Sequence, residues 1–164
     1  MKKTGKIDKL WAPWRRKYIY LRNPKGCIFC VGQAKGPNDK KNYIIRRTKS
    51  SFSMLNIYPY NSGHLMVAPY KHEKDFSGLS SEELLDLVKL LSESLVLLKK
   101  KLKPDGFNVG INIGKVGGAG FSGHMHIHIV PRWNGDTNFM PIIADTKVVS
   151  ESLSELYGRL KSDN

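Results

Sequence analysis

The strongest rhythm in the chain is helical. Leu84, Leu87, Val88, Leu91, Leu95, Leu98 and Leu102 recur at spacings of three and four, which gathers them on one stripe of an α-helix. Ser80 with Glu83 forms a capping box ahead of the run, and Lys99, Lys100, Lys101 and Lys103 suit the negative end of the dipole behind it. Pro104 and Gly106 close it, so the spacing predicts about 22 residues spanning roughly 33 Å. Elsewhere the rhythm has period two. Residues 43–46, 51–57 and 63–68 read as strands, with Pro59, Tyr60, Asn61, Ser62 and Gly63 punctuating the last pair. Residues 107–113 alternate as well. A glycine-rich loop over 114–123 then leads to a strand over 124–130. A short helix is expected around 14–20 and a terminal helix over 146–161, whereas residues 32–42 and 131–143 read as irregular. Strands interrupted by one long helix imply an α+β fold: a mainly antiparallel sheet with the long helix packed on it. The expected organisation is a basic, aromatic arm over 1–26 and a domain over 27–145. The C-terminal helix, 146–164, packs on that same domain.

Charge changes this picture more than size does. The 164 residues leave room for one core, but 27 Lys and Arg face only 14 Asp and Glu, a net charge of +13. That excess suits anionic partners such as nucleotides, nucleic acid or a lipid surface. A membrane partner is not expected, because no window approaches the roughly 18 unbroken apolar residues of a span. Export is not expected either: the basic start runs into Trp11, Pro13, Trp14 and Arg15 instead of an apolar signal core. Two cysteines, spaced Cys27-Ile28-Phe29-Cys30, fit a cytoplasmic chain with one special pair and not a disulfide scaffold.

The chemistry concentrates in His124-Met125-His126-Ile127-His128. Alternate residues of a strand share a face, so three imidazoles line one side while Met125, Ile127 and Ile129 turn to a core. Such a row serves either a metal or a phosphate. For phosphoryl chemistry a neutral imidazole nitrogen attacks phosphorus, and its other nitrogen is held by an acceptor so that the attacking one stays unprotonated. His126, flanked on both sides, is the natural nucleophile. The glycine-rich loop just before it can bring backbone N–H groups to phosphate oxygens.

HMHIHIV fits the His-φ-His-φ-His-φ-φ signature of the histidine-triad (HIT) family of nucleotide hydrolases and transferases. Residues 54–59 (MLNIYP) and 63–69 (GHLMVAP) resemble that family's earlier strand pair. LWAPWRRKYI near the start and PRWNGDTNFMPII after the triad resemble its diadenosine tetraphosphate phosphorylase branch. The resemblance implies a HIT-like fold and a nucleotidylated His126, with His128 contacting phosphate and His64 supporting the triad. It places Asn56 at the ribose and Asn112 at phosphate. Phe29, Met54 and Ile57 become the apolar slot for the base, each with a plain core reading beside it. Gly120, Phe121 and Ser122 fall in the phosphate loop. Phe121 stands where related enzymes carry serine or glutamine, so Ser122 or a backbone N–H takes over the leaving-group contact.

Cys27 and Cys30 have the spacing of half a zinc site, which a redox pair shares. The resemblance supplies His72 and His124 as the other two ligands of a structural zinc. Magnesium is a further candidate ion for a polyphosphate substrate. The implied activity converts diadenosine tetraphosphate and phosphate to ADP and ATP. A hydrolase releasing AMP is the alternative, and a zinc-stabilised nucleic-acid-binding module, favoured by the N-terminal cations and aromatics, is the second. Family members are commonly homodimers or larger homo-oligomers in which sheets join edge to edge, and Trp133 with the segment 138–143 is a candidate contribution to a partner.

Overall fold

The computed structural model describes residues 27–32, 38–136 and 151–162. The arm, its expected helix near 14–20 and the segment 137–150 lie outside the described residues. In chain order the elements are α1 (Ile28–Gly32), β1 (Ile44–Arg47), β2 (Ser51–Leu55), β3 (Leu65–Pro69), a 3₁₀ turn (Phe76–Gly78), α2 (Ser81–Leu102), β4 (Gly106–Ile111), β5 (Ile127–Arg132) and α3 (Leu153–Lys161). The strands form one sheet in the order β1-β2-β3-β5-β4, and every neighbouring pair is antiparallel.

The long helix forms where its sequence predicts. Ser80 and Glu83 make both bonds of the capping box, and Lys103 ends the helix in a left-handed conformation, φ 49°. The following Pro104 disfavours a helical residue before it. Leu87, Leu90, Ser94 and Leu98 are buried against the sheet. Val88, included in the sequence stripe, turns outward and is 55% exposed. Beneath α2 the sheet offers Leu55, Leu65, Val67, Ile127 and Ile129, Met125 joins them from just ahead of β5, and α3 adds Leu156, Tyr157 and Leu160 to the same cluster. The opposite face carries a smaller cluster of Phe29, Ile44, Phe52, Met54, Met66 and Ala68, which α1 covers.

The strands begin or end within about two or three residues of the sequence reading, and the larger differences have physical reasons. The strand expected from residue 124 pairs only from Ile127 and runs on to Arg132. The Met125 N–H donates instead to the Glu73 carbonyl at 2.6 Å, and β3 ends at Pro69, which has no N–H to offer. The terminal helix starts at Leu153, after Ser152 and Glu155 close a capping box of their own. Its five expected residues 146–150 lie outside the described residues. Helix α1 was not foreseen, because five residues are too few to show a period. No helix among the described residues is long and apolar enough to cross a membrane.

Candidate active site

The histidines divide into two groups that meet at one residue. At one end are His64, His126 and His128. The register pairs Met54 with Met66 and Met66 with His128 across three strands, so His128 stands on the face that α1 covers. His64 immediately precedes β3, and its Nε2 lies 2.9 Å from His128 Nδ1. The Tyr60 N–H donates to His64 Nδ1 at 3.0 Å, and the Asn56 amide nitrogen lies 3.4 Å from the same atom. With Nδ1 accepting, His64 carries its proton on Nε2 and donates it to His128 Nδ1. His128 is thereby left with an Nε2–H directed away from the pair.

His126 is held from another direction. Its Nδ1 lies 2.9 Å from the His124 carbonyl oxygen, which can only accept. The Nδ1 proton is thus fixed and the lone pair sits on Nε2. Phe29 stacks on its ring at 4.6 Å and 29°, and the His128 ring meets it edge-on at 4.7 Å. Burial pushes the charged forms of these imidazoles out of reach near neutrality. His64 falls to about 3, with His128 and His126 adding to the effect of burial, and His128 falls to about 4. His126 is lowered too, by burial, against the opposing bond to His124. A buried, neutral imidazole with one nitrogen tied and the other free is a nucleophile in waiting.

At the other end Cys27, Cys30, His72 and His124 bring four ligand atoms within 4.8 Å of one another. Cys27 Sγ is 3.5 Å and Cys30 Sγ 3.7 Å from His124 Nδ1, Cys30 Sγ is 3.1 Å from His72 Nδ1, and the two Nδ1 atoms are 3.3 Å apart. Bonds of about 2.3 Å to sulfur and 2.0–2.1 Å to nitrogen in a tetrahedron require edges of about 3.3–3.8 Å. Three of these four separations fall in that range and the Cys30–His72 one is slightly shorter, so the cluster could hold a metal ion. His124 Nε2 donates to the Pro69 carbonyl at 2.9 Å, which fixes the tautomer and turns Nδ1 toward the cluster. Burial raises the Cys27 thiol to about 11, so an ion entering here displaces a proton. Helix α1 is what lets both sulfurs face one point: it is a single turn joining them. Residue 124 serves both ends, its side chain in the cluster and its carbonyl on His126.

The remaining candidates divide as follows. Asn56 is buried, and its side-chain oxygen accepts from the Tyr58 N–H at 2.9 Å. Asn112 donates to the Gly118 carbonyl at 3.4 Å and so closes the glycine-rich loop. Phe29 is fully buried and Met54 6% exposed, inside the smaller cluster and not along an open slot, whereas Ile57 is half-buried. Phe121 packs against that cluster with its ring 6.2 Å from Phe29. Gly120 is exposed and Ser122 half-buried beside it. Sequence reasoning missed Tyr60, whose ring lies 4.6 Å from His64 and 5.8 Å from His128. The only signal was an aromatic inside a turn, two residues after another.

Residues 38–135 match the HIT domain. An AP-4-A phosphorylase of Mycobacterium tuberculosis is 33% identical over 156 residues, covering 91% of this chain and 80% of its own. An adenosine 5′-monophosphoramidase of Schizosaccharomyces pombe is 32% identical over 108 residues, 66% of this chain and 75% of its own. Among solved structures, a Zn-bound histidine triad family protein from Mycobacterium smegmatis is similar with a TM-score of 0.64 at 25% identity, over 83% of this chain and 91% of that one. The row of imidazoles, the sheet that carries it and these matches agree: the chain belongs to the HIT domain family.

Proposed function

We propose that the chain is a nucleotidyl transferase that cleaves dinucleoside polyphosphates, converting diadenosine tetraphosphate and inorganic phosphate to ADP and ATP. One observation carries this reading: His126 has Nδ1 tied to the His124 carbonyl at 2.9 Å and Nε2 free. In the first step Nε2 attacks the α-phosphorus, a P–N bond forms and the P–O bond to the bridging oxygen breaks, releasing ATP. The positive charge that develops on the His126 ring is stabilised through its Nδ1–H bond to the carbonyl. The His128 Nε2–H, oriented by His64, donates to the departing oxygen. In the second step a phosphate oxygen attacks the same phosphorus, the P–N bond breaks, and ADP leaves with His126 restored. Asn112, Gly120 and Ser122 serve the phosphates, Asn56 the ribose, and Ile57 offers the base more open surface than Phe29 or Met54.

Cys27, Cys30, His72 and His124 hold the metal, which we take to be zinc. Bound there, it supplies a structural cross-link between α1 and the triad strand. We also propose that the protein is a homodimer joined along β4. Only β5 pairs with β4 among the described strands, its outer edge leaves backbone groups open to a partner, and Val109 on that strand is 46% exposed. Equilibrium sedimentation of the purified protein at two concentrations reads this directly, and a monomer at both overturns it.

The test of the activity is product analysis with diadenosine tetraphosphate, with and without inorganic phosphate, alongside His126→Ala. ADP plus ATP only with phosphate is the expected result. AMP plus ATP without phosphate makes the enzyme a hydrolase on the same histidine. Turnover that survives His126→Ala, or no turnover at all, overturns the mechanism and moves nucleic-acid binding to the front.

A further inference from the structure

A buried imidazole that attacks phosphorus acquires a positive charge, and burial makes that charge costly. Something must meet it. Among the described residues no carboxylate pairs with His126. The His124 carbonyl faces the charge at Nδ1, and the His128 ring stands edge-on to it. Against the face of the ring lies Phe29. It falls between Cys27 and Cys30 in the sequence, on α1, and is packed among Ile44, Phe52 and Met54. Its ring stacks on His126 with centroids 4.6 Å apart and planes at 29°, and less closely on His124 at 5.1 Å. Phe121 meets it at 6.2 Å in an edge contact.

The face of a phenyl ring is the negative end of its quadrupole. It attracts a cation centred within about 6 Å, and more strongly where water is excluded. Water is excluded here: Phe29 is 0% and His126 5% exposed. The attacking lone pair lies in the imidazole plane, so a group stacked on the face leaves it free. A neutral His126 gains only contact from the stack, whereas a charged one gains electrostatic attraction as well. An interaction that strengthens toward the transition state accelerates the step. We propose that Phe29 stabilises the nucleotidyl-imidazolium of His126 through its ring face, in the place where an acidic side chain would otherwise stand. This rests on the nucleotidyl-transfer reading and adds to it a second group that meets the charge.

The experiment replaces Phe29 by 4-fluoro-, 3,5-difluoro- and 3,4,5-trifluorophenylalanine, which keep the shape of the ring and weaken its negative face in steps. Phe29→Leu, which keeps an apolar filling and removes the face, runs alongside. Single-turnover release of ATP from diadenosine tetraphosphate without phosphate reads the first step. Calorimetric titration with a methylene-bridged, uncleavable analogue reads affinity. The first step should slow with each fluorine, by about two- to thirtyfold across the series, while affinity for the analogue and the melting temperature stay near wild type. Wild-type rates in the fluorinated proteins overturn the proposal, even where Phe29→Leu is slow, because the ring is then only filling. Slowing that matches a loss of affinity overturns it too. Absence of ATP release by wild type defeats the nucleotidyl reading, and phosphoramidate then decides the proposal. It charges histidine without any nucleotide: ammonia leaves as the P–N bond to His126 forms, followed by phosphorus NMR against His126→Ala. The same stepwise slowing sustains the role of Phe29, and equal rates or no labelling overturn it.

Discussion

The five histidines stand in two kinds of arrangement, and the contrast between them explains the site. Around the cluster, the ring nitrogens of His72 and His124 and the sulfurs of Cys27 and Cys30 converge on one point. Around His64 and His128 the contacts run in a line, each acceptor fixing the next donor, from the Tyr60 N–H through His64 to His128. Convergent lone pairs hold a cation, whereas a line of alternating acceptors and donors fixes tautomers. The side chain of His124 belongs to the first arrangement although its sequence motif belongs to the second. Identical residues at identical spacing therefore do different chemistry, and the neighbours of each ring nitrogen decide which.

Three substitutions test whether the two arrangements are separate. Cys27→Ser has the largest expected effect. It removes a buried ligand, so the protein should lose its metal, measured by atomic emission, and melt roughly 10 °C lower. A variant with full metal content and an unchanged melting temperature would break the comparison at the cluster end. Gly63→Ala comes next and strikes only the other end. Gly63 has φ +76°, and a Cβ there meets the Leu102 side chain and comes to 3.0 Å from Pro131. The cost should be about 2 kcal/mol in chemical denaturation, with metal content intact. His64→Gln gives the sharpest test, because its effect is read as a change of slope with pH and not as a single loss of stability. The folded-state value of about 3 for His64 lies below that of an unfolded histidine. On acidification the unfolded chain takes its proton first, and stability present above about pH 6.5 is lost as the pH falls toward 3. Each such histidine contributes a slope of about 1.4 kcal/mol per pH unit. The variant should lose about that much slope between pH 6 and 4, and an unchanged slope would show that His64 is not held neutral.

What the sequence revealed follows from how local each determinant is. Ser80, Glu83 and the leucine stripe define α2 within one helix, and the alternation of His126, Ile127, His128 and Ile129 defines two faces of a strand without reference to anything else. The start of β5 was not legible, because it depends on the Glu73 carbonyl taking the Met125 N–H, more than fifty residues away. The start of α3 was legible and was passed over: Ser152 and Glu155 have the same spacing as Ser80 and Glu83. Phe29 could be placed near the nucleophile by resemblance, but whether it faces a slot or lies stacked on His126 is decided by how α1 closes over the sheet. Tyr60 matters only through its distance to two imidazoles, and no periodicity encodes a distance.

Both protons that set the site are positioned by main-chain atoms. The acceptor for His126 is the carbonyl of residue 124, and the donor to His64 is the amide of residue 60. Every amino acid carries that carbonyl, and every one but proline carries that amide. A scan of substitutions at 124 thus reports on the cluster, and one at 60 reports on whatever its side chain touches, while the tautomers of His126 and His64 pass through both scans unaltered as long as the backbone keeps its path. The wiring of the triad is written in the course of the chain, where single substitutions leave little trace, and it yields to insertions, deletions or a proline at 60.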